Sequence, residues 1–360
     1  MYVLMHQDTK VLAFDEEQEI VYEPRLLPEA IHYDSLNGFL YMRATAFRAR
    51  ETYAALVKTL GVEDYRDMMT VIEKTHGLSL TDDYWIKKEE ENSTFEELNL
   101  YDHPFDGAPM QAGYLGIAQG QGTYSPEYTT DGQLPKCYDR QGDQIVLYKR
   151  GSTWGEAPGR EMYNEYYAHQ VLDALGVPHV PYDLTMYKGH LASVCPLVTS
   201  QRYSYVPISA FNYAHEDDIF GDFIKRGMGK EIRTMILFDA LVYNYDRHIG
   251  NFGYLKDHVT GTYSFFPLFD HGDAFFPLFQ GQTMAELDAY LPNIAYSAMG
   301  IPFDALVSQY CTIEEGELLE KLSGFMIHPH PKYGENVDLY NAFLKKRITE
   351  LQRIIFNVRK

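Results

Sequence analysis

The sequence predicts an α+β protein in which a smaller strand-rich part is followed by a larger helical part. Two observations support this class. A strand, a helix and a hairpin succeed one another between residues 143 and 198, and the pattern after about residue 201 is mostly helical. Strands and helices that are segregated along the chain are typical of α+β folds. The length of 360 residues also exceeds what one minimal domain requires, so we expect more than one compact body.

The part of the chain up to about residue 99 alternates short apolar runs with helical patterns. Apolar residues at helical spacing predict a helix that contains Leu56 and Leu60 and ends at Gly61. Thr94 followed by Glu97 predicts the start of another helix, because this spacing is that of a capping box. No set of catalytic residue types occurs here, and we interpret residues 1–105 as an accessory region.

The composition changes between residues 101 and 132, where glycine and other turn-forming residues are frequent. Such a composition favours loops and short strands over helices. We place the first boundary in this stretch. The predicted division is therefore an accessory region at 1–105, a strand-rich lobe at 106–200 and a helical lobe at 201–360.

The elements after this boundary follow from periodicity. Alternating side chains predict a strand at 143–151, and helical spacing predicts a helix that ends at Gly176. Lys188 and Gly189 lie between two strand patterns and predict a hairpin turn. A long apolar helix is predicted at 230–244, and a short apolar strand at 262–270. The chain from about residue 302 onward reads as mostly helical.

The overall charge argues against two classes of partner. Acidic residues exceed basic ones by 51 to 31, which gives a net charge of −20. Nucleic acids and anionic membrane surfaces are bound through Lys and Arg, so we expect no direct nucleic-acid binding and no membrane binding. The three cysteines are scattered, and no segment resembles a secretory signal or a membrane span. We therefore expect a cytoplasmic protein.

Three polar residues stand at the ends of apolar elements and carry the chemistry. Asp246 follows the long apolar helix, Asn251 comes after four intervening residues, and Asp270 ends the short apolar strand. Phosphoryl transfer uses one carboxylate to orient the attacking hydroxyl and a second carboxylate with an amide oxygen to hold Mg²⁺. The spacing of Asp246 and Asn251 is that of a kinase catalytic loop. Each residue by itself would be read as an ordinary turn residue; their combined order favours the catalytic interpretation.

Two further groups lie upstream in the order that phosphate binding requires. Lys149 ends a strand and Glu165 lies in the following helix, a combination that kinases use to direct an ammonium group at phosphates. The segment "TTDGQLPKC" begins at Thr129 and contains Thr130, Gly132 and Lys136. Its backbone amides are suited to phosphate, with Gly132 permitting close approach. The plainer interpretation of this segment is a simple turn.

The segments "NYDRHIGN" and "FPLFDHGDAF" together resemble the catalytic region of the HipA-like kinases. "TTDGQLPKC" resembles the phosphate loop of the same family, and the resemblance extends over about residues 125–357. Phosphatidylinositol kinases share a similar Asp-Arg-His then Asn pattern. The resemblance implies a divergent protein-kinase fold with a small strand-rich lobe, a larger helical lobe and an N-terminal accessory region.

The resemblance also implies roles for individual residues. Asp246 would be the catalytic base, supported by His248, while Asn251 and Asp270 would be the metal ligands. Lys149 would bind phosphate with Glu165 as its partner, and the loop residues Thr129, Thr130, Gly132 and Lys136 would cradle the phosphates. Leu197 and Val198, in the segment 196–199, would meet the adenine.

The sequence departs from the family pattern in three ways. Asp-His-Gly replaces the usual Asp-Phe-Gly at residues 270–272, no Ala-Pro-Glu signature follows, and residues 1–100 do not match the N-terminal domain of HipA toxins. We expect an ATP- and Mg²⁺-dependent kinase acting on Ser or Thr of a protein substrate, with autophosphorylation of the phosphate loop and an antitoxin-like partner as further candidates. The alternatives are a small-molecule or lipid kinase and an inactive pseudokinase that serves as a binding module.

Overall fold

The computed structural model describes residues 1–64, 66–122, 124–153, 159–213 and 216–357. Backbone contacts divide the chain into two compact units. Unit 1 comprises residues 1–150, 196–212 and 255–263. Unit 2 comprises residues 151–195, 213–254 and 264–360.

The secondary structure mixes strands and helices. The strands are Tyr2–His6 (β1), Thr9–Phe14 (β2), Glu19–Val21 (β3), Tyr84–Lys88 (β4), Lys136–Gln141 (β5), Gln144–Arg150 (β6), Asp183–Tyr187 (β7), His190–Pro196 (β8), Tyr203–Pro207 (β9), Gly253–Asp257 (β10) and Tyr263–Phe265 (β11). The α-helices are Glu29–Tyr33 (α1), Leu36–Thr45 (α2), Tyr53–Leu60 (α3), Met68–Thr75 (α4), Phe95–Leu98 (α5), Gly107–Leu115 (α6), Glu161–Leu175 (α7), Glu216–Lys225 (α8), Gly229–Val242 (α9), Met284–Tyr290 (α10), Phe303–Tyr310 (α11), Ile313–Leu318 (α12) and Asp338–Asn357 (α13).

The predicted α+β class is confirmed. The strand pairs β1–β2, β1–β4, β2–β3, β5–β6 and β7–β8 are all antiparallel. Most of the helices of the second half of the chain belong to unit 2, as the helical pattern after residue 201 predicts. None of the helices in the described residues is long and apolar enough to cross a membrane.

The N-terminal region of unit 1 is built on a four-stranded antiparallel sheet. Its strand order is β3-β2-β1-β4. The two central strands consist largely of consecutive buried apolar residues, which indicates that both of their faces are covered. Val3, Met5 and Trp85 of this sheet share one hydrophobic cluster with Tyr138 and Ile145 of the β5–β6 hairpin. The core of unit 1 therefore joins the sheet to the strands that carry the predicted phosphate-binding lysines.

Two helix boundaries in this region agree with the local sequence signals. Helix α3 ends at Gly61, whose φ of +66° lies in the left-handed region that glycine adopts without strain. Helix α5 begins with a capping box between Thr94 and Glu97. In both cases the signal is local, so the sequence alone is enough to place the boundary.

The expectation of loops and short strands throughout residues 101–132 is wrong for one segment, because helix α6 lies there. Asp106 caps its first turn by accepting a hydrogen bond from the amide of Ala108 at 2.9 Å. A Cβ atom on Gly113 would lie 2.9 Å from both the carbonyl oxygen of Lys136 and the Cγ atom of Glu127. The glycine therefore serves the close approach of a helix to its neighbours, which composition does not distinguish from a loop.

The elements that open unit 2 follow the predicted order. Helix α7 ends at Gly176, and the β7–β8 hairpin turns at Lys188 and Gly189, whose φ angles are +47° and +82°. Two positive φ angles in a two-residue turn match the twist of an antiparallel pair. The strand predicted at 262–270 is shorter than expected, since β11 ends at Phe265. Pro267, which has no amide hydrogen to pair, follows closely.

Candidate active site

A buried arginine organises the loop that follows helix α9. The guanidinium of Arg247 is 3% exposed and contacts the carboxylate of Asp239, which lies on α9 and is also buried. Its Nε atom lies 3.0 Å from Asp239 Oδ2, and its second terminal nitrogen lies 3.1 Å from Oδ1. Asn244 donates a further hydrogen bond to Asp239 Oδ1 at 3.0 Å. The charge of Arg247 is thus neutralised inside the protein by Asp239, although Arg247 lies in the segment that contains the predicted catalytic residues.

The same guanidinium connects two segments that are distant in sequence. One of its terminal nitrogens donates to the carbonyl oxygen of Asn251 at 2.9 Å and to that of Phe269 at 2.6 Å. The other lies 3.0 Å from Nδ1 of the buried His271. Arg247 therefore fixes the backbone at residue 251 and the backbone on both sides of Asp270 relative to α9.

The predicted catalytic loop is closed by its own hydrogen bonds. The side-chain amide nitrogen of Asn251 donates to the carbonyl oxygen of Asp246 at 3.0 Å, and its backbone amide donates to the carbonyl oxygen of His248 at 2.8 Å. Asn251 is buried, whereas the side chains of Asp246 and His248 are each 46% exposed. Nδ1 of His248 accepts a hydrogen bond from the amide of Gly250 at 3.0 Å. The Asp246 carboxylate is thus exposed to solvent on a loop whose backbone is fixed by hydrogen bonds.

Asp270 has a backbone conformation that is uncommon for a residue with a side chain. Its φ is +56°, in the left-handed region that Asp and Asn tolerate better than most residues. Its backbone amide donates to the hydroxyl of Tyr182 at 3.0 Å. Two residues later, the carbonyl oxygen of Gly272 accepts a hydrogen bond from Asn164 of α7 at 2.8 Å. The turn that carries Asp270 is therefore anchored on both sides.

A third carboxylate, which sequence reasoning missed, lies beside these two. Asp273 is largely buried, and this burial, together with the negative charges of Asp246 and Asp270, raises its pKa to about 7. The hydroxyl of Tyr245 donates to Asp273 Oδ1 at 3.1 Å, which opposes part of this shift. We therefore count Asp273 with Asp246 and Asp270 as one acidic group. The "FDHGDAF" segment contains two acidic residues, but the motif gave no reason to select the second.

Unit 1 contains the predicted phosphate loop. Gly132 has a φ of +100°, and a Cβ atom there would lie 2.3 Å from Nζ of Lys136. That ammonium group donates to the carbonyl oxygen of Asp131 at 2.7 Å. The hydroxyl groups of Thr129 and Thr130 donate to the carbonyl oxygens of Leu78 and Pro126, at 2.6 and 2.7 Å. The loop thus depends on a glycine, and its two threonines bond to backbone.

Buried polar residues that the motif did not indicate hold this loop in place. Arg50, which is 1% exposed, donates to the carbonyl oxygens of Glu127 and Thr130. The Glu127 carboxylate accepts hydrogen bonds from the Ser125 hydroxyl and from the amide of Tyr138. Burial raises the pKa of Glu127. These contacts fix residues 125–131 against the first residues of β5.

The two predicted lysines of unit 1 are cross-strand neighbours. Lys136 of β5 is paired directly with Lys149 of β6, and both are almost fully buried. Directly opposed side chains of an antiparallel pair lie on the same face, so the two ammonium groups share one side of the hairpin. Leu197, one of the two predicted adenine contacts, donates its amide hydrogen bond to Ile145 of β6 at 2.9 Å. Val198 is partly exposed in the same segment.

Glu165 lies in unit 2, on α7, with 1% of its surface exposed. Its Oε2 atom accepts a hydrogen bond from the Ser193 hydroxyl of β8. The pairing of Glu165 with Lys149 stays a prediction. In unit 2 the structure brings together Asp246, Asn251 and Asp270, and in unit 1 it brings together the phosphate loop and the two lysines.

Comparison with known proteins gives similarity at the level of solved structures. No protein-family model matches the chain, and no curated protein matches it. It is similar to the proinflammatory kinase CtkA of Helicobacter pylori, at 18% identity and a TM-score of 0.47, over 62% of this chain and 92% of that one. It is also similar to HipA of Shewanella oneidensis MR-1, solved with HipB and operator DNA, at 13% identity and a TM-score of 0.48, over 98% of this chain and 96% of that one. The first of these proteins is a kinase, and the second is part of a toxin–antitoxin system.

Replacing Arg247 by Ala should strongly destabilise unit 2, because it leaves the buried Asp239 carboxylate without its cation. Breaking a buried ion pair in this way costs about 3–5 kcal/mol in the free energy of unfolding. Urea denaturation followed by circular dichroism measures the change. The control is Lys346→Ala, which breaks an exposed ion pair with Asp288 and should cost no more than about 1 kcal/mol. Equal effects of the two substitutions would contradict the structural role of Arg247.

Proposed function

We propose that this protein is an ATP- and Mg²⁺-dependent phosphotransferase of HipA-like type that phosphorylates Ser or Thr of a protein. The observation that carries the proposal is the set of hydrogen bonds made by the buried Arg247 guanidinium in unit 2, which we call the Arg247 clasp. By bonding the backbone at Asn251 and at Phe269, it sets the predicted base and both predicted metal ligands on adjoining turns. An ordinary surface turn has no need for a buried guanidinium that fixes its position relative to a second loop.

Asp246 acts on the acceptor hydroxyl. Its carboxylate is half exposed, and therefore accessible to a substrate, while its backbone carbonyl is held by Asn251. A carboxylate at this position orients the hydroxyl and accepts its proton as the bond to phosphorus forms. His248 supports the loop through its hydrogen bond with Gly250.

The donor set at Asn251 and Asp270 fits a hard divalent cation. The amide nitrogen of Asn251 is occupied by Asp246, so its carboxamide presents oxygen as the remaining ligand atom. Asp270 adds a carboxylate, and burial together with the charges of Asp246 and Asp270 raises the pKa of the nearby Asp273. Oxygen ligands in an acidic setting suit Mg²⁺. Asn251 and Asp270 would hold the ion, which would supply positive charge to offset that of the phosphates.

The loop and lysines of unit 1 provide positive charge and amide donors for phosphate. Lys136 and Lys149 lie on one face of the hairpin, and Gly132 leaves room for the ammonium group of Lys136. Lys149 is the proposed phosphate ligand with Glu165 as its partner, and Leu197 and Val198 are the proposed adenine contacts.

The identity of the molecule that accepts the phosphoryl group is the most specific part of the proposal, and it can be tested directly. Purified protein is incubated with labelled ATP and Mg²⁺, alone and with cell lysate, and the labelled species are identified by mass spectrometry. Label on Ser or Thr of a protein supports the proposal, and an antitoxin-like partner would be recovered as a stably bound protein. Label on a small molecule or lipid would support the alternative acceptors. ATP binding without any transfer would support a pseudokinase.

Asp246→Asn should remove transfer and preserve nucleotide binding. The substitution keeps the shape of the side chain but removes its ability to accept a proton, and general bases contribute about 10²–10⁴-fold to rate. Turnover is measured with labelled ATP, and nucleotide affinity by calorimetry. Asp288→Asn changes an exposed carboxylate in the same unit and serves as the control. Turnover of Asp246→Asn near that of the wild type would rule out this residue as the base.

Asn251→Ala and Asp270→Asn should weaken nucleotide binding only when Mg²⁺ is present, because the first removes a ligand of the cation and the second removes the negative charge of another ligand. Asn is chosen at residue 270 since it tolerates the positive φ, whereas Ala would add backbone strain. Calorimetry with ATP, with and without Mg²⁺, gives the comparison. Equal Mg²⁺ dependence in Asp270→Asn and the wild type would remove Asp270 from the metal site.

Autophosphorylation of the loop would require the loop to open. Ser125 is buried against Glu127, and the hydroxyls of Thr129 and Thr130 bond to backbone. A phosphate adds about −1.5 to −2 of charge and would prevent these contacts from re-forming, so activity should fall. Peptide mass spectrometry after incubation with Mg-ATP, with Asp246→Asn as the control, tests this. Loop residues that stay unmodified while another acceptor is phosphorylated would show that the loop only binds.

A further inference from the structure

Unit 1 contains a cluster of metal-binding side chains that the proposed phosphoryl-transfer chemistry does not use. Ligand atoms of His6, Asp83 and His258 all lie within 4.8 Å of one another. Among the described residues, no other group of three or more His, Cys, Asp or Glu side chains is arranged in this way. The side chains are 11%, 0% and 8% exposed, so this is an interior cluster and not a surface accumulation of charge.

The spacing of the atoms fits a tetrahedral ion. Nε2 of His6 lies 3.2 Å from Nδ1 of His258 and 3.1 Å from Oδ1 of Asp83. Ligands bound to Zn²⁺ at 2.0–2.1 Å in a tetrahedral arrangement are separated by about 3.3 Å. Two edges of the ligand triangle therefore have the length that such an ion imposes.

The second ring nitrogen of His258, Nε2, lies 3.5 Å from Asp83 Oδ1 and has a further neighbour. This Nε2 atom is hydrogen-bonded to the hydroxyl of Ser204, which is buried. When Nε2 carries the proton and donates it to Ser204, Nδ1 has a free lone pair directed away from that contact. Histidines that bind metals are commonly fixed through their other ring nitrogen in this manner.

Hydrogen bonding alone does not satisfy every ring nitrogen and carboxylate oxygen of the cluster. Asp83 Oδ2 accepts a hydrogen bond from Gln7 at 2.8 Å. Asp83 Oδ1 is fully buried and has no partner with hydrogen-bonding geometry among the described residues, although a ring nitrogen of His6 is close. Nε2 of His6 carries at most one proton, so it cannot serve both His258 and Asp83. A buried carboxylate oxygen without a donor is costly, and a cation would satisfy all three groups together.

We propose that His6 Nε2, Asp83 Oδ1 and His258 Nδ1 form a structural binding site for a transition metal, with Zn²⁺ as the best match. Imidazole nitrogens favour Zn²⁺ and its neighbours over Mg²⁺ and Ca²⁺, which prefer oxygen ligands. Three protein ligands leave the fourth tetrahedral position of the ion to a water molecule, and the burial of all three side chains favours a structural role.

The site joins three segments that are far apart in the sequence. His6 ends β1, Asp83 immediately precedes β4, and the register of these strands places His6 opposite Tyr84. His258 follows β10 in the segment 255–263, whose flanking residues belong to unit 2. The ion would therefore fasten this segment to the edge of the N-terminal sheet. A link that closes such long loops gains most from restricting the unfolded chain.

The full-length protein provides a direct test. After treatment with a chelator and its removal, Zn²⁺ and Co²⁺ are titrated without nucleotide, and binding is followed by calorimetry and by the visible absorption of Co²⁺. We expect one tightly bound ion per chain that excess Mg²⁺ does not displace, together with a rise in melting temperature on Zn²⁺ addition. His6→Gln and Asp83→Asn should each weaken binding by about tenfold or more and abolish the rise.

Two control variants separate this site from its alternatives. His32→Gln removes an exposed histidine of unit 1 outside the cluster and should bind Zn²⁺ like the wild type. Asp270→Asn alters the proposed Mg²⁺ site of unit 2 and should also bind Zn²⁺ normally, so failure of the kinase proposal leaves this result unaffected. Absence of tight binding by folded wild-type protein, or wild-type affinity in folded His6→Gln, would overturn the proposal and leave a hydrogen-bonded His–Asp–His network.

Discussion

The buried contact between Arg247 and Asp239 is the constraint on which the candidate site of unit 2 depends. A guanidinium has five donors in a rigid plane, and here they reach the Asp239 carboxylate, two backbone carbonyls and the His271 ring. A lysine could not connect so many acceptors in one plane. The acceptors come from α9, from the loop after it and from the turn around Asp270. Positioning of the proposed base and metal ligands is thus an outcome of packing inside the unit, not of contacts made by the exposed side chains themselves.

Unit 1 uses the same strategy at its loop. Arg50 and Glu127 are buried. Arg50 donates to the backbone of residues 125–131, and the Glu127 carboxylate accepts from the backbone of β5. The two lysines on one side of the β5–β6 hairpin therefore lie next to a loop whose backbone is fixed. In both units, buried charged residues hold the backbone, and the residues proposed to meet the substrate are carried by that backbone.

The two proposed cation sites differ in their ligand chemistry, and the difference separates their roles. The Asn251–Asp270 group offers oxygen atoms and has excess negative charge nearby, which suits an ion that exchanges with its nucleotide. The His6–Asp83–His258 group offers two nitrogens and one oxygen in a closed interior, which suits an ion that stays with the fold. Mg²⁺ is a poor competitor for a site with two imidazole ligands, so the two ions can occupy one chain together.

The sequence by itself determined the features whose causes are local. The α+β class, the helix ends at Gly61 and Gly176, the capping box at Thr94 and the turn at Lys188 follow from side-chain periodicity and from backbone preferences within a few residues. Motif spacing likewise selected Asp246, Asn251 and Asp270, although their roles remain predictions. Only the tertiary structure decided that Arg247 is a buried clasp, that residues 107–115 form a helix and that Asp273 belongs to the acidic group. It alone brought His6, Asp83 and His258 together. The physical reason is that burial and charge pairing between residues tens to hundreds of positions apart depend on how elements pack, and no local pattern encodes that packing.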